Sequence, residues 1–337
     1  MSAAGGPGQI GVRIAGVGSA VPARRLTNLD LEGMVDTSDE WIVQRTGVRE
    51  RRIVDPANNE GTISLSAKAL SNALDMARVK AAELDLIIVA TVTAEMTCPS
   101  TACRVSDILG ATPAPAFDLV AACCGFVYAI NVADSLIRSG RFRRVGVVGC
   151  DTLSTTIDYT ERTVSILFGD AAGSAVLEAD ADPGRGCLHQ SMYADGSLWP
   201  SLYMPRRQQD VPPGDENHPA RLGCLRMNGR EVYKFAVGKF QKVLEEALVK
   251  SGHKICDFRQ IIVHQSNARM IEAIKERMGL PDDKVYMNID HYGNSSAGSV
   301  GLCLDELWRA GKIEPGDLIM MVAFGGGMTW SASVWKV

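Results

Sequence analysis

The chain predicts an α/β fold in which one strand-and-helix unit is built twice. Three observations carry this. Short β-branched runs alternate with helical stretches, the pattern of mostly parallel sheets covered by helices. The order of elements in the second half repeats that of the first. Matching helices in the two halves end on glycine, at Leu109-Gly110 and Met278-Gly279, and again at Ser139-Gly140 and Ala310-Gly311. The copies run from about 63 to 177 and from 231 to 334, which divides the chain into an N-terminal half, 1–180, and a C-terminal half, 181–337.

Length and composition agree with this. A chain of 337 residues holds two domains or one large layered one. With 46% hydrophobic and 22% charged residues it reads as an ordinary soluble globular protein. A net charge of -4 provides no global field for nucleic acid or an anionic membrane, so neither is expected as a partner. Nine cysteines, scattered from Cys98 to Cys303, form no CxxC and no zinc-like Cys/His cluster. A reducing compartment is expected, with no disulfide framework and no metal. Met1 to Gln9 is Gly/Ala-rich and reads as a frayed tail without the pattern of a secretory signal. The most apolar window, Val120 to Ile130, is too short to span a bilayer, and a cytoplasmic location is expected.

In chain order, Val12 to Val17 reads as a strand. Gly16-Val17-Gly18 begins a dinucleotide fingerprint, but Val21 occupies the third glycine position and Pro22 blocks the helix that motif needs. Ser38 or Asp39 caps a helix through Trp41 and Arg45 that Gly47 ends. Arg45, Arg49, Arg51 and Arg52 crowd the same region, as a solvated face or as a mouth for a phosphorylated ligand with Trp41 as stacking surface. A helix follows from Ser64 to about Val79, then a strand at Leu86–Ala90 and a helix from Pro99 to Leu109. Phe117 to Ile130 reads as a buried strand entering a helix, with Cys123 and Cys124 at the junction. Strands come next at Val145–Gly149 and after Phe168-Gly169. From Asp180 to about Gly223, six prolines mark an irregular excursion. The second copy then supplies a helix from Glu231 to Ser251, the strand Ile261–Val263, a helix ending at Met278, a further strand and a helix ending at Arg309. The strands Leu318–Val322 and Ser331–Val334 close the chain.

The repeat aligns chemistry. Cys123 lies 17 residues before Gly140, and Asn294 lies 17 residues before Gly311, so both occupy the same strand-to-helix junction. His264 directly follows Ile261–Val263, at the strand end where sites collect in parallel sheets. A thiol at a helix N-terminus is favoured as thiolate. Taken singly, each residue also has a bland explanation: a buried thiol, a satisfied histidine, a helix-capping Asn. His189, His218, His253 and His291 fall in loops or beside turns and read as structural.

These residues resemble the β-ketoacyl-[acyl carrier protein] synthase III family, the initiating condensing enzymes of bacterial type II fatty acid synthesis. The resemblance runs from about Val12 to Val337. It rests on Thr37-Ser38-Asp39-Glu40-Trp41-Ile42 with Arg45-Thr46-Gly47, Ala121-Ala122-Cys123 with Gly125-Phe126, Val263-His264-Gln265-Ser266-Asn267, Gly293-Asn294-Ser295-Ser296-Ala297 and Ala323-Phe324-Gly325-Gly326-Gly327.

The resemblance implies a thiolase-like fold, a duplicated α/β unit in five αβαβα layers, working as a homodimer. It implies Cys123 as the nucleophile that takes an acyl group from acyl-CoA, with the N–H groups of Cys123 and Gly326 as oxyanion hole. His264 and Asn294 would hold the malonyl thioester oxygen during decarboxylation. Trp41 and Arg162 match positions that sandwich the CoA adenine, and Asn267 matches a pantetheine contact; Arg45 and Phe324 belong to the same substrate-binding motifs. Lys234 and Arg269 fall where the family docks its acidic acyl carrier protein. No cofactor is needed, because both thioesters are substrates.

Cys124 departs from the usual small residue and is expected to pack. Cys98 falls where a bulky aromatic narrows the partner subunit's acyl pocket in acetyl-preferring members, and Met328 replaces a common Phe. Both imply primers longer or more branched than acetyl. A degradative thiolase would need a second catalytic cysteine near the C-terminus, and Phe324 to Thr329 contains none. A papain-like hydrolase lacks the duplication, and a dead scaffold would not fill every role. An acyltransferase or condensing enzyme of a secondary-metabolite pathway would use the same Cys, His and Asn.

Overall fold

The computed structural model describes residues 10–337; the expected frayed tail lies outside the described residues. Two sheets form the frame. The first contains β1 (Gly11–Ala20), β2 (Leu86–Ala90), β3 (Ala116–Leu119), β4 (Arg144–Thr152) and β5 (Asp170–Asp180), in the order β1-β5-β4-β2-β3. The second contains β6 (Gly186–Ala194), β7 (Gln260–Val263), β8 (Leu318–Gly325) and β9 (Thr329–Lys336), in the order β7-β8-β9-β6. The pairings match strand for strand. β1 and β4 run antiparallel to β5, as β6 and β8 run antiparallel to β9; β2 is parallel to β4, as β7 is to β8. One sheet draws only on residues before 181 and the other only on residues after it.

The longer helices are α1 (Asp39–Thr46), α2 (Thr62–Ala77), α3 (Thr101–Leu109), α4 (Gly125–Arg138), α5 (Gly229–Ser251), α6 (Ala268–Met278) and α7 (Gly298–Arg309). Their ends follow local chemistry. Ser38 caps α1 by accepting from the Trp41 N–H, and Gly47 ends it in the left-handed conformation. Both Asp118 carboxylate oxygens accept from the first N–H groups of α3, at 2.8 Å each, which ties β3 to that helix.

α2 and α3 cover the outer face of the first sheet, α5 and α6 cover that of the second, and α4 and α7 lie between the sheets. The layers are αβαβα. The central core joins Phe126 and Ile130 of α4, Leu304 of α7 and Trp335 of β9, all fully buried. Each side chain of that kind contributes about 1.5–3 kcal/mol by leaving water. α7 rests directly on the first sheet because Gly173 meets Gly301 backbone to backbone; a Cβ on Gly173 would lie 2.3 Å from the Gly301 carbonyl carbon. That close approach carries the segment before α7 across to the strand ends of the other copy.

Three expectations are corrected. The stretch 180–223 is not wholly irregular: β6 is a nine-residue strand paired with β9. It lies at a sheet edge and buries little, so its sequence carries no apolar alternation. His189 therefore sits on a strand. The strand expected between Gly279 and Gly293 does not form. Instead, side-chain amides of β7 and its extension take over the ladder's work. Gln265 donates to the Tyr286 carbonyl at 3.1 Å and accepts from the Asn288 N–H at 3.1 Å, and Gln260 donates to the Asp283 carbonyl at 3.0 Å. The arginine cluster also divides. Arg51 is fully buried, donating to the Leu26 and Ile166 carbonyls and to Asn28, while Arg52 donates to the Pro22 carbonyl. Of the four, Arg45 lines the cavity described below.

Candidate active site

Cys123 lies in a tight turn, Ala122–Cys124, between β3 and α4. Ala122 adopts φ +45°, a left-handed conformation unusual for a residue with a Cβ, and this swings the thiol into the space between the two copies. His264 ends β7, with its N–H bonded to the Val322 carbonyl of β8 at 2.9 Å. Asn294 follows Gly293. Its N–H donates to the Leu167 carbonyl at 2.9 Å, and its carbonyl accepts from the Gly169 N–H at 3.0 Å, so a short bridge from the first copy fixes it.

Cys123, His264 and Asn294 line one cavity of about 400 Å³. Trp41, Arg45, Asn267, Phe324 and Met328 line it as well. A second cavity, about 280 Å³, opens on the other side of Cys123, lined by Val92, Val120, Ser296, Gly326 and Thr329 among others. The thiol thus stands where a polar-ended channel meets an apolar pocket.

Burial dominates the electrostatics. It pushes the Cys123 thiol up to about 12. The Ser296 hydroxyl opposes that shift, Asp151 reinforces it, and the N–H groups of Cys123 and Gly326 oppose it. The helix-end position alone therefore does not leave a free thiolate in the closed site, contrary to the sequence expectation; the desolvation it was weighed without is the larger effect. The same two N–H groups that face the sulfur are the pair expected as oxyanion hole. Gly325 keeps them in place, since a Cβ there would lie 2.7 Å from the Cys123 nitrogen. Cys124 is fully buried in the central core.

Burial also drives His264 down to about 3, so the ring is neutral across the physiological range. Its Nδ1 lies 2.7 Å from the Ser299 hydroxyl, and its ring makes a T-shaped contact with Phe324 at 5.4 Å between ring centres. Ser299 has one hydroxyl proton and also lies 3.0 Å from the Ser296 carbonyl; where that proton goes to Nδ1, Nε2 is the protonated nitrogen.

The remaining residues fall as follows. Arg162 stacks over Trp41, 4.8 Å from the ring centre, and Arg45 lies 5.4 Å from it. Asn267 caps α6 by accepting from the Arg269 N–H and donates to the Arg45 carbonyl at 3.1 Å. Lys234 and Arg269 are exposed, and Lys234 lines a groove with Lys239 and Lys242. Met328 lines the larger cavity rather than the apolar pocket it was assigned to, because the turn Gly326–Met328 directs it back over β8. Cys98 is exposed and lines neither cavity of its own chain. Sequence reasoning missed Asp151, Ser296 and Ser299. Asp151 stands near the C-terminal end of β4, the same placement that singled out His264. No group of three or more acidic, His or Cys residues among the described residues is placed to hold a metal ion.

Comparison with known proteins agrees with this geometry. Residues 117–196 match the family model of 3-oxoacyl-[acyl-carrier-protein (ACP)] synthase III, and residues 248–337 match the model of its C-terminal part. A beta-ketoacyl-[acyl-carrier-protein] synthase III of Caldanaerobacter subterraneus subsp. tengcongensis is 46% identical over 97% of this chain and 98% of that protein. The crystal structure of 3-oxoacyl-[acyl-carrier-protein] synthase III from Aquifex aeolicus VF5 superposes with a TM-score of 0.89 at 42% identity, covering 97% of this chain and all of that one. A priming β-ketosynthase from the R1128 polyketide biosynthetic pathway gives 0.90 at 33% identity, over the whole of this chain and 99% of that one. With the thiolase-like layering, the duplicated unit and the match along nearly its full length, the chain belongs to the β-ketoacyl-[acyl carrier protein] synthase III family.

Proposed function

We propose that this chain catalyses the decarboxylative Claisen condensation of an acyl-CoA primer with malonyl-[acyl carrier protein]. The products are 3-oxoacyl-[acyl carrier protein], CoA and CO2, and the reaction initiates fatty acid biosynthesis. One observation carries the reading: Cys123 from one copy and His264 and Asn294 from the other line a single cavity, with an apolar pocket opening behind the sulfur. In the first half-reaction Cys123 attacks the acyl-CoA carbonyl. The developing oxyanion is held by the N–H groups of Cys123 and Gly326, and the acyl chain passes into the apolar pocket. In the second, malonyl thioester occupies the cavity. Loss of CO2 places negative charge on the thioester oxygen, and neutral His264 and the Asn294 amide donate to it. The carbanion then attacks acyl-Cys123. This chemistry calls for no metal or redox cofactor.

Trp41, Arg45 and Arg162 form the mouth for the CoA nucleotide. An adenine between Trp41 and Arg162 requires them to part to about 7 Å, two contacts of about 3.5 Å. Asn267 and Phe324 line the pantetheine channel, and Lys234 and Arg269 offer cations to the acidic carrier protein. A homodimer is supported by the edge strand β3 and the turn after it, where Phe117 and Val120 are exposed beside the apolar pocket. In such a dimer Cys98 approaches the partner's pocket. A cytoplasmic setting accords with nine free cysteines and with a fold in which no described helix is long and apolar enough to cross a membrane.

The test is transfer from a panel of radiolabelled acyl-CoAs, with and without malonyl-[acyl carrier protein], on native protein and Cys123→Ala. Acyl transfer that survives the substitution defeats the mechanism. Self-acylation without condensation for every primer favours an acyltransferase. Competition between acetyl-CoA and a branched or medium-chain acyl-CoA decides primer size, and strict acetyl preference defeats the assignment of a roomy pocket to Cys98.

A further inference from the structure

Behind Cys123 lies a carboxylate that no step above uses. Asp151 is fully buried, and among the described residues no Lys, Arg or His forms an ion pair with it. Its Oδ1 accepts from the Val92 N–H at 2.8 Å and from the Thr91 and Thr93 hydroxyls at 3.0 and 3.2 Å. Its Oδ2 accepts from the Ala297 N–H at 3.2 Å. Backbone N–H groups only donate, so this shell suits the ionised acceptor. A buried carboxylate without a cation is costly to keep. Ser296 is the polar side chain in hydrogen-bond reach of the Cys123 sulfur.

Ser296 is also held against its preference. It adopts φ +48° and is almost wholly buried. The Asn294 side-chain oxygen accepts from its N–H at 2.9 Å, which fixes the backbone in that state. The result is a hydroxyl 3.3 Å from Cys123 Sγ. Asp151 lies just beyond it: its Oδ2 takes the N–H of the next residue, Ala297, at 3.2 Å, and the Ser296 hydroxyl holds that carboxyl below where burial alone would put it. The titratable groups around Asp151 are Cys123 in front, and Cys150 and Asp170 near it. A hydroxyl carries one proton, so Ser296 either accepts from the thiol while donating to Asp151, or donates to the sulfur while accepting from a protonated Asp151.

We propose that Ser296 and Asp151 form the proton path of the acyl-transfer half-reaction. As Sγ bonds to the thioester carbon, the S–H proton passes to Ser296 Oγ and the hydroxyl's own proton passes to Asp151 Oδ2. The carbonyl π pair moves onto oxygen, between the N–H groups of Cys123 and Gly326. When the adduct collapses, the carbon–sulfur bond to CoA breaks and the proton returns from Asp151 through Ser296 to the leaving sulfur, which departs as a thiol. No proton is gained or lost and no co-reactant is needed. His264 does not serve here in the tautomer that donates to the malonyl thioester, because Nε2 then carries its proton and Nδ1 is engaged with Ser299. The path rests on the reading of Cys123 as the acyl acceptor.

Single-turnover transfer from [14C]acetyl-CoA and [14C]isobutyryl-CoA to the full chain, from pH 6 to 9, tests it on native protein, Ser296→Ala, Asp151→Asn and Cys123→Ala. Decarboxylation of malonyl-[acyl carrier protein] is followed on the same preparations. Ser296→Ala is expected to slow acylation by about 10²-fold, the scale of a lost general base. The remaining rate should rise about tenfold per pH unit as hydroxide takes over, and the fall in acylation should exceed that in decarboxylation at least tenfold. Asp151→Asn should move in the same direction. If it fails to fold, Ser296→Ala, which deletes one atom and keeps the backbone bond to Asn294, decides alone. Native-rate acylation by Ser296→Ala overturns the path, and so does an equal fall in both half-reactions. Cys123→Ala separates the two levels: if it still acylates, the assignment of Cys123 itself fails.

Discussion

Replacing Gly325 with alanine probes how finely the oxyanion donors are placed. A Cβ there would lie 2.7 Å from the Cys123 nitrogen, 3.1 Å from the Cys124 nitrogen and 3.3 Å from the Ala121 carbonyl oxygen. The φ of Gly325 is -162°, extended backbone that alanine adopts freely, so the effect is purely steric. Ordinary contact begins at 3.4 Å, and 3.4 less 2.7 leaves about 0.7 Å for one of the two loops to yield. All the atoms in the way are backbone and cannot swing aside. A donor displaced by that much takes an N–H···O bond of about 2.9 Å to about 3.6 Å, beyond hydrogen-bonding range. Losing one oxyanion donor costs about 10²–10³ in rate, about 2.7–4 kcal/mol. Acyl transfer to Cys123, read by mass spectrometry in a single turnover, should fall by that factor, while the melting midpoint drops by only a few degrees. Acylation within about threefold of native, with the fold intact, would refute the placement of the donors.

Three further outcomes follow from the same geometry. His264 has a folded value of about 3 against about 6.5 unfolded, so the unfolded chain binds the extra proton between those values. Its contribution to stability is therefore complete above pH 6.5 and is lost as pH falls, by about 1.4 kcal/mol per unit. Asp134 and Asp170, raised by burial to about 6, act in the opposite sense between about 4 and 6, so the comparison is differential. From pH 7 to 5, urea denaturation should show His264→Gln losing about 2 kcal/mol less than native; equal losses would place a protonated ring in the site. Arg51→Met strips the donor from the Leu26 and Ile166 carbonyls and from Asn28, and should cost about 2 kcal/mol or more in chemical denaturation. It should also slow malonyl decarboxylation, because Arg51 holds the Ile166 carbonyl, one residue before the Leu167 carbonyl that accepts from the Asn294 N–H; unchanged stability and rate would contradict this. Lys234→Glu with Arg269→Glu should raise the KM for malonyl-[acyl carrier protein] by about tenfold at low salt, less at high salt, and leave self-acylation by acyl-CoA alone. A KM that does not move would locate the docking face elsewhere.

The proposed nucleophile illustrates what can be read without coordinates. Cys123 rather than Cys124 follows from the repeat, because only Cys123 shares its junction with Asn294, and the structure places Cys124 in the core. His264 follows from its place at a strand end. These inferences work because periodicity and spacing are local, and a duplicated chain aligns its own equivalent positions.

What escaped the sequence depends on contacts between distant segments. β6 was hidden because an edge strand with one thinly covered face needs no alternating pattern. The fifth strand of the second sheet was expected and is absent because two glutamine side chains, Gln260 and Gln265, satisfy the backbone it would have paired with. The arginine cluster was split by burial: Arg51 is enclosed by the segment near Ile166, more than a hundred residues away. The titration of Cys123 went the same way, since its helix end is visible in the sequence while the desolvation that outweighs it exists only once the two copies close. Fold class, duplication and the choice of Cys123, His264 and Asn294 as the residues that meet at one cavity were thus legible in the order of residues. Which residues are dry, and therefore which charges survive and which polar groups must find partners, was decided by the packing of one copy against the other.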